Sequence, residues 1–354
     1  MFKKVLLFSS SFVVFFLTVQ PTKAQVLFND NFDNYTLGNL GTDVTGIIPG
    51  QGNWLTKFNS GTPNNSAFTI TNEAFKSRVL TFTTPQDDLL RAKKDLSVFI
   101  NQRTTGNNVI KFEIDYYTGT QYYWDANRAP RIDISLYDNN NKTLLMFYHR
   151  ITQKDYAWIR FSDGFYHVNN NITILNNGNG LPLDTWVSFI VYLDYNNRKA
   201  YVETPYFNKV AVTDFLNKST SNNLIEDFKP ASISLSTDAA IGGASQMVHK
   251  FDNIKITGLK VVPPNIIALS INEQLAVKFN VFPNPTNNVV NITNSENIIV
   301  EQLQVFDISG KAVQSQIFNN ENQVGLNIEN LAPGTYMLHI KTNAGTAVKK
   351  IIRN

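Results

Sequence analysis

Ile110-Lys111-Phe112-Glu113-Ile114-Asp115-Tyr116 is the run whose reading decides the fold. Apolar and polar residues alternate along it without a break. Successive side chains of a strand point to opposite faces, so Phe112, Ile114 and Tyr116 are set against a core while Lys111, Glu113, Asp115 and Tyr117 look away from it. The same period of two returns at 131–137 and, less regularly, at 156–161. Residues 186–195 and 198–204 read as a hairpin closed at Asn196-Asn197, a residue type that tolerates positive φ. From residue 25 to about 260 such runs are separated by Asn, Gly and Asp clusters (139–141, 169–171 and 176–177 among them), with no amphipathic helix longer than a turn or two. Many short strands at close spacing predict an all-β, two-sheet sandwich.

The chain has no cysteine, which removes any disulfide framework and any thiolate nucleophile or metal ligand and leaves burial to hold the fold together. Its four histidines show no metal-ligand spacing. At the N-terminus, Lys3 and Lys4 precede an apolar run at 5–19 and a small-residue stop at Ala24. This is the pattern of a cleaved signal peptide (1–24), too short for a comfortable membrane span. Its loss takes Lys3, Lys4 and Lys23 and no acid, so the formal +3 of the whole sequence becomes a neutral mature chain. A neutral chain gives no reason to invoke nucleic acid or an anionic membrane as partner.

Beyond residue 260 the reading changes. Val261-Val262-Pro263-Pro264 and the stretch that follows read as a linker (261–274), because consecutive prolines cannot sit inside a ladder. A second β module is expected at 275–354. Its landmarks are Val281-Phe282-Pro283-Asn284-Pro285, the turn Asp307-Ile308-Ser309-Gly310 between alternating runs, and the turn Pro333-Gly334 before the alternation of Tyr336, Leu338 and Ile340. These landmarks, with Lys349-Lys350 near the chain end, resemble the C-terminal sorting domain of type IX secretion. The resemblance implies a small immunoglobulin-like sandwich, the type IX machinery as partner, Pro283, Asn284, Pro285, Gly310, Pro333, Gly334, Lys349 and Lys350 as the sorting signal, and a destination at the cell surface or in the medium.

The main domain (25–260) carries a second resemblance. The segment 27–35, the segment 249–256 and the hairpin at Trp186 together resemble concanavalin A-like, laminin-G-like jelly rolls, whose first and last strands meet in one sheet. In some relatives that meeting holds a structural calcium, and the resemblance implies Asp30, Asp33 and Asp252 as its ligands here.

Polar faces on neighbouring strands point to chemistry. If Glu113 and Asp115 share a trough with Arg131 and with Trp158 and Arg160, carboxylates, guanidiniums and aromatic rings meet on one surface, which suits sugars. The loop 118–130 adds Tyr122-Tyr123-Trp124, three consecutive rings that cannot all face one core. Asp115, Tyr122, Trp124, Arg131, Trp158 and Arg160 are therefore the candidate ligand-binding residues, whereas Trp54 and Trp186 read as core. Glu113-Ile114-Asp115 is also similar to the nucleophile segment of laminarinase-type glycoside hydrolases. The position of that mechanism's second carboxyl holds Tyr117, or Thr118 if a bulge intervenes, so the proton donor is missing. A lyase reading would use Tyr117, Tyr148, His149 and Arg160, although His149 shares its face with Leu145 and Phe147 and reads as a core histidine. Three functions stay open: non-catalytic binding of a glycan or surface polymer, polysaccharide cleavage by Glu113, Asp115 and Tyr117, and a structural surface protein that binds only protein.

Overall fold

The computed structural model describes residues 24–58, 63–84, 89–119, 131–150, 155–162, 165–169, 180–214, 229–238, 247–294 and 296–354. Residues 1–23 of the expected signal peptide (1–24) and the loop residues Tyr122 and Trp124 lie outside them. The N-terminal unit is a sandwich of two antiparallel sheets. The larger orders β14 (Lys209–Asp214), β13 (Lys199–Thr204), β12 (Trp186–Asp194), β7 (Val109–Tyr117), β16 (Met247–Leu259), β5 (Ser77–Thr84), β4 (Phe68–Glu73) and β2 (Gly38–Asn39). The first strand, β1 (Gln25–Asp30), pairs with the last, β16, in this sheet, as the sequence reading expects. The smaller sheet orders β11 (Phe165–Asn169), β10 (Asp155–Ser162), β9 (Thr143–Arg150), β8 (Arg131–Tyr137), β15 (Ser232–Asp238), β6 (Leu90–Asp95) and β3 (Leu55–Phe58).

The alternation read from β7 is the alternation found. Phe112, Ile114 and Tyr116 are buried with Phe82, Phe251 and Phe189 from the same sheet and Ile132, Ile134 and Phe147 from the opposite one. Each such side chain contributes about 1.5–3 kcal/mol on full burial. In the hairpin of β12 and β13, Asp194 Oδ1 accepts the N–H groups of Asn196 and Asn197, and the residue at positive φ is Arg198.

The expected linker is a helix, Pro264–Ala276. Proline at its first position is compatible, because that N–H has no helical partner in any case. Ile266 packs with Val109, Tyr192, Tyr201 and Val210 on the outer side of the larger sheet, while Leu275 and Ala276 enter the C-terminal core. The apolar spacing that hides in a polar-apolar stretch thus ties the two units together.

The C-terminal module has a three-stranded sheet, β17 (Phe279–Phe282), β18 (Val289–Asn294) and β21 (Gln323–Asn327), and a four-stranded one, β20 (Ala312–Glu321), β19 (Val300–Phe306), β22 (Gly334–Thr342) and β23 (Gly345–Arg353). Tyr336, Leu338 and Ile340 face its core as the alternation requires. Among the described residues no helix is long and apolar enough to cross a membrane.

Candidate functional site

Lys111, Glu113, Asp115 and Tyr117 are half-buried on the outer face of the larger sheet. Strand pairing sets Asp115 opposite Ser188 on β12 and opposite Asp252 on β16. A bulge in β16 after Asp252, with Asn253 at positive φ, turns the Asn253 amide onto Asp115 at 2.8 Å. Ser188 Oγ donates to the same carboxylate at 2.5 Å, and Lys76 bridges Asp115 and Asp252. Burial alone would raise the Asp115 carboxyl. The donors Asn253, Lys76 and Ser188 outweigh it and hold the group below its ordinary range. Asp252, 2% exposed, is pushed up to about 6 by burial and by its neighbours Asp115 and Asp33.

Three further ionic groups nearby are also matched: Lys250, Lys111 and Glu73. Lys250 pairs with Glu73 and lies 5.0 Å from the Tyr117 ring, and Lys111 pairs with Glu113 at 2.6 Å. Lys76 lies 4.9 Å from the ring of Trp186, whose Nε1 reaches Glu73 at 3.5 Å. Glu73 on β4 and Trp186 on β12 are four strands apart, about 19 Å in a flat sheet. The tip of the β4–β5 hairpin must therefore fold back over this face. Trp186, expected in the core, instead stands half-buried beneath it, its ring 5.6 Å from Tyr117. On this face Lys76 stands between the carboxylates of Asp115 and Asp252.

The expected single trough does not form. Arg131 belongs to β8 in the smaller sheet, so Asp115 and Arg131 lie on opposite outer surfaces of the sandwich. On β10 the backbone register pairs Trp158 with Phe147 and Arg160 with Leu145. Alternation fixes which residues share a strand face; it cannot say which sheet a strand joins. His149 is fully buried, bonded through Nδ1 to the Tyr116 hydroxyl at 3.1 Å, in keeping with a core histidine.

Each carboxylate expected to hold calcium faces a hydrogen-bond donor or a lysine. Asp30 accepts from the Tyr35 hydroxyl (2.6 Å) and Trp54 Nε1 (2.9 Å) and faces Lys94 at 3.4 Å. Asp33 accepts from Asn31 and from the backbone of Arg78, and Asp252 faces Lys76 at 3.7 Å. Oxygens aimed at N–H and O–H donors do not suit a metal ion, and among the described residues no three acidic or histidine side chains are placed to hold one.

The outer face of the smaller sheet has a different character. Leu90, Ala92, Ile132, Ile134, Leu136, Ile233 and Leu235 face the core, so the alternate residues Arg91, Lys93, Arg131, Asp133, Ser135, Tyr137, Ser232, Ser234 and Ser236 face away. One row across the strands reads Lys57, Arg91, Ser236, Asp133, Tyr148, and the next Leu55, Lys93, Ser234, Ser135, Met146. The serines of this face are buried: Ser135 and Ser234 are each 1% exposed. The hydroxyls of Ser135, Ser232 and Ser234 have no hydrogen-bond partner among the described residues. At one end these serines run into a cleft of about 230 Å³ lined by Lys93, Asp95, Asp138, Asn139, Asn141 and Ser232 with neighbouring residues. Of this site the alternation at 131–137 finds the outward face of β8, Arg131, Asp133, Ser135 and Tyr137, and the sequence reading misses the serines of β15 and the cations of β6 and β3. The signal was present in the alternation of Ser232-Ile233-Ser234-Leu235-Ser236.

In the C-terminal module, Pro283, Asn284 and Pro285 are exposed just after β17. The Asn284 side chain behaves as a strand segment: Nδ2 donates to Lys350 O at 2.9 Å and Oδ1 accepts Ile352 N–H at 2.8 Å. Gly310, at φ 83°, closes the β19–β20 turn, where Asp307 Oδ1 accepts from Ser309 and Lys311. Pro333-Gly334 opens β22, and the Tyr336 hydroxyl returns to Ala332 O at 2.7 Å. Lys349 and Lys350 lie on the edge strand β23. Residues 280–354 match the family model described as the secretion system C-terminal sorting domain. The C-terminal module is a type IX sorting domain. It marks the protein for export to the cell surface or the medium. No curated protein sequence matches the chain significantly. Solved structures similar to it include a sialidase (TM-score 0.40, 9% identity, 66% of this chain and 18% of that one). Others are the alginate lyase from Klebsiella pneumoniae (0.34, 11%, 56% and 86%) and the receptor binding domain of botulinum neurotoxin D (0.36, 7%, 90% and 78%). The chain thus spans less than a fifth of the sialidase, and likenesses of this strength bear on neither ligand nor activity.

Proposed function

We propose that the N-terminal sandwich is a non-catalytic binding module for a glycan or surface polymer, carried outside the cell by the sorting domain. The contact surface is the outer face of the smaller sheet, and its candidate ligand-binding residues are Arg131 and Tyr137 with the buried serines. One observation carries the reading: three buried serine hydroxyls keep their hydrogen-bonding capacity unspent. A buried hydroxyl without a partner costs about 1–3 kcal/mol, and sugar hydroxyls supply donor and acceptor together. Tyr137 and Tyr148 flank the serines with half-exposed rings suited to the apolar side of a pyranose.

The test uses the chain without residues 1–24 in a glycan array, followed by calorimetry on the best ligand. Replacing Ser135 and Ser234 together by Ala should leave thermal stability unchanged or raised, since neither hydroxyl has a partner to lose. Binding should fall about tenfold, as two neutral hydrogen bonds of about 0.5–1.5 kcal/mol each disappear. Unchanged affinity in the double variant would move the site elsewhere.

A further inference from the structure

We infer that the polymer bound on this face is anionic, carrying carboxylate or sulfate groups, and that Arg91 is its principal anion contact; this rests on the glycan-binding reading above. The argument begins with charge pairing. On the larger sheet Lys76, Lys111 and Lys250 each sit against a carboxylate. On the smaller sheet Arg131 Nε lies 2.9 Å from Asp133 Oδ1 and is likewise matched. Arg91 has no ion pair or hydrogen bond among the described residues, and its Nε is buried. A guanidinium N–H shut away from water and left unbonded is costly unless an incoming oxygen completes it.

Its neighbours extend the same polarity. Lys57 is paired with Arg91 in the strand register, is exposed and has no ion pair among the described residues. Lys93, two residues along β6 on the same side, donates to Asn141 Oδ1 at 2.8 Å rather than to a carboxylate. Lys93 shares a row with the unspent hydroxyls of Ser234 and Ser135, and Arg91 and Lys57 stand in the adjoining row with Ser236 and Asp133. The planar fork of arginine takes two oxygens of a carboxylate or sulfate at once, and the serines beside it take ring hydroxyls of the same polymer. A neutral glycan would satisfy the serines but offer Arg91 only neutral hydroxyl acceptors, which bond a guanidinium about half as strongly as an ionised oxygen. The face is therefore matched to a polymer that supplies both kinds of group.

Matched pairs of polymers separate the possibilities. Polygalacturonate and its methyl ester differ in carboxylate; a sulfated galactan and its desulfated form differ in sulfate. The chain without residues 1–24 is expected to bind the charged member of at least one pair at least tenfold more tightly than the neutral member. Affinity should fall as salt is raised through the range that screens exposed charge. Arg91→Gln should remove most of that preference and weaken the salt dependence, with melting temperature little changed because Arg91 has no ion pair or hydrogen bond among the described residues to lose. Lys57→Gln, at an exposed position, should reduce the preference to a lesser degree. Equal binding of charged and neutral members overturns the anionic assignment while leaving glycan binding intact. Charged binding that is indifferent to Arg91→Gln also overturns it, as does equally tight binding of single-stranded DNA. No binding to any polymer, on these pairs and on the array, overturns both readings.

Discussion

Acid should weaken this protein through two rings buried in its core, His149 and His249. Both are fully buried, and His249 stacks on Tyr116 with ring centroids 6.4 Å apart. Burial lowers each to about 3, with His149 adding to the effect at His249. The unfolded chain titrates near 6.5. Because the folded values are depressed, the native state holds the rings neutral while the unfolded chain takes up protons below pH 6.5. Stability present above pH 6.5 is therefore lost as pH falls toward 3. At pH 5 the loss is about 2 kcal/mol per ring, or about 4 kcal/mol together. Asp252 works in the opposite sense: its folded value of about 6 stands above the unfolded one, so protonation on the way to pH 5 returns about 1 kcal/mol. The net, about 3 kcal/mol, is a large part of the 5–15 kcal/mol typical of a domain. Urea unfolding at pH 7.5, 6 and 5, on the wild type and on His249→Phe, isolates one ring. Phenylalanine keeps the stacking and removes the titration, and the imidazole nitrogens have no hydrogen-bond partner to leave stranded. The acid loss should shrink by about 2 kcal/mol in the variant. Equal losses in the two proteins, or a wild type whose stability is flat from pH 7.5 to 5, would refute the reasoning.

Two other perturbations bear on the fold and on export. Lys94→Met should destabilise the sandwich by about 3–5 kcal/mol, since it strands the buried Asp30 carboxylate; adding Asp30→Asn should restore much of the loss, and denaturant midpoints of the single and double variants measure both. Asn284→Ala removes the two bonds that fasten the exposed turn to β23, about 1–2 kcal/mol in sum. It should speed protease cleavage within the sorting domain and lower the exported fraction, whereas export and cleavage at wild-type levels would show that the side chain serves neither.

The strand faces of β7, β8 and β12 and the turns at Gly310 and Pro333-Gly334 were legible because each depends on a local period or on a residue with special backbone freedom. The helix Pro264–Ala276 was not, because its few core positions are spread among polar ones and its anchoring comes from surfaces distant in the chain. Trp186 was misplaced for a related reason. Its outward position follows from alternation, but its shelter comes from a hairpin tip more than a hundred residues earlier in the sequence.

By itself the sequence determined an exported all-β chain with a sorting module at its end, and it determined that Glu113 and Asp115 turn away from the core. Only the tertiary structure decided that these carboxylates are neutralised by Lys76 and Lys111 while Arg91 and the serines of β15 and β8 are left unsatisfied on the other surface. Alternation is a property of one strand, carried by the geometry of consecutive peptide units. Which strands lie side by side, and hence which charges meet, depends on packing between segments far apart in the chain.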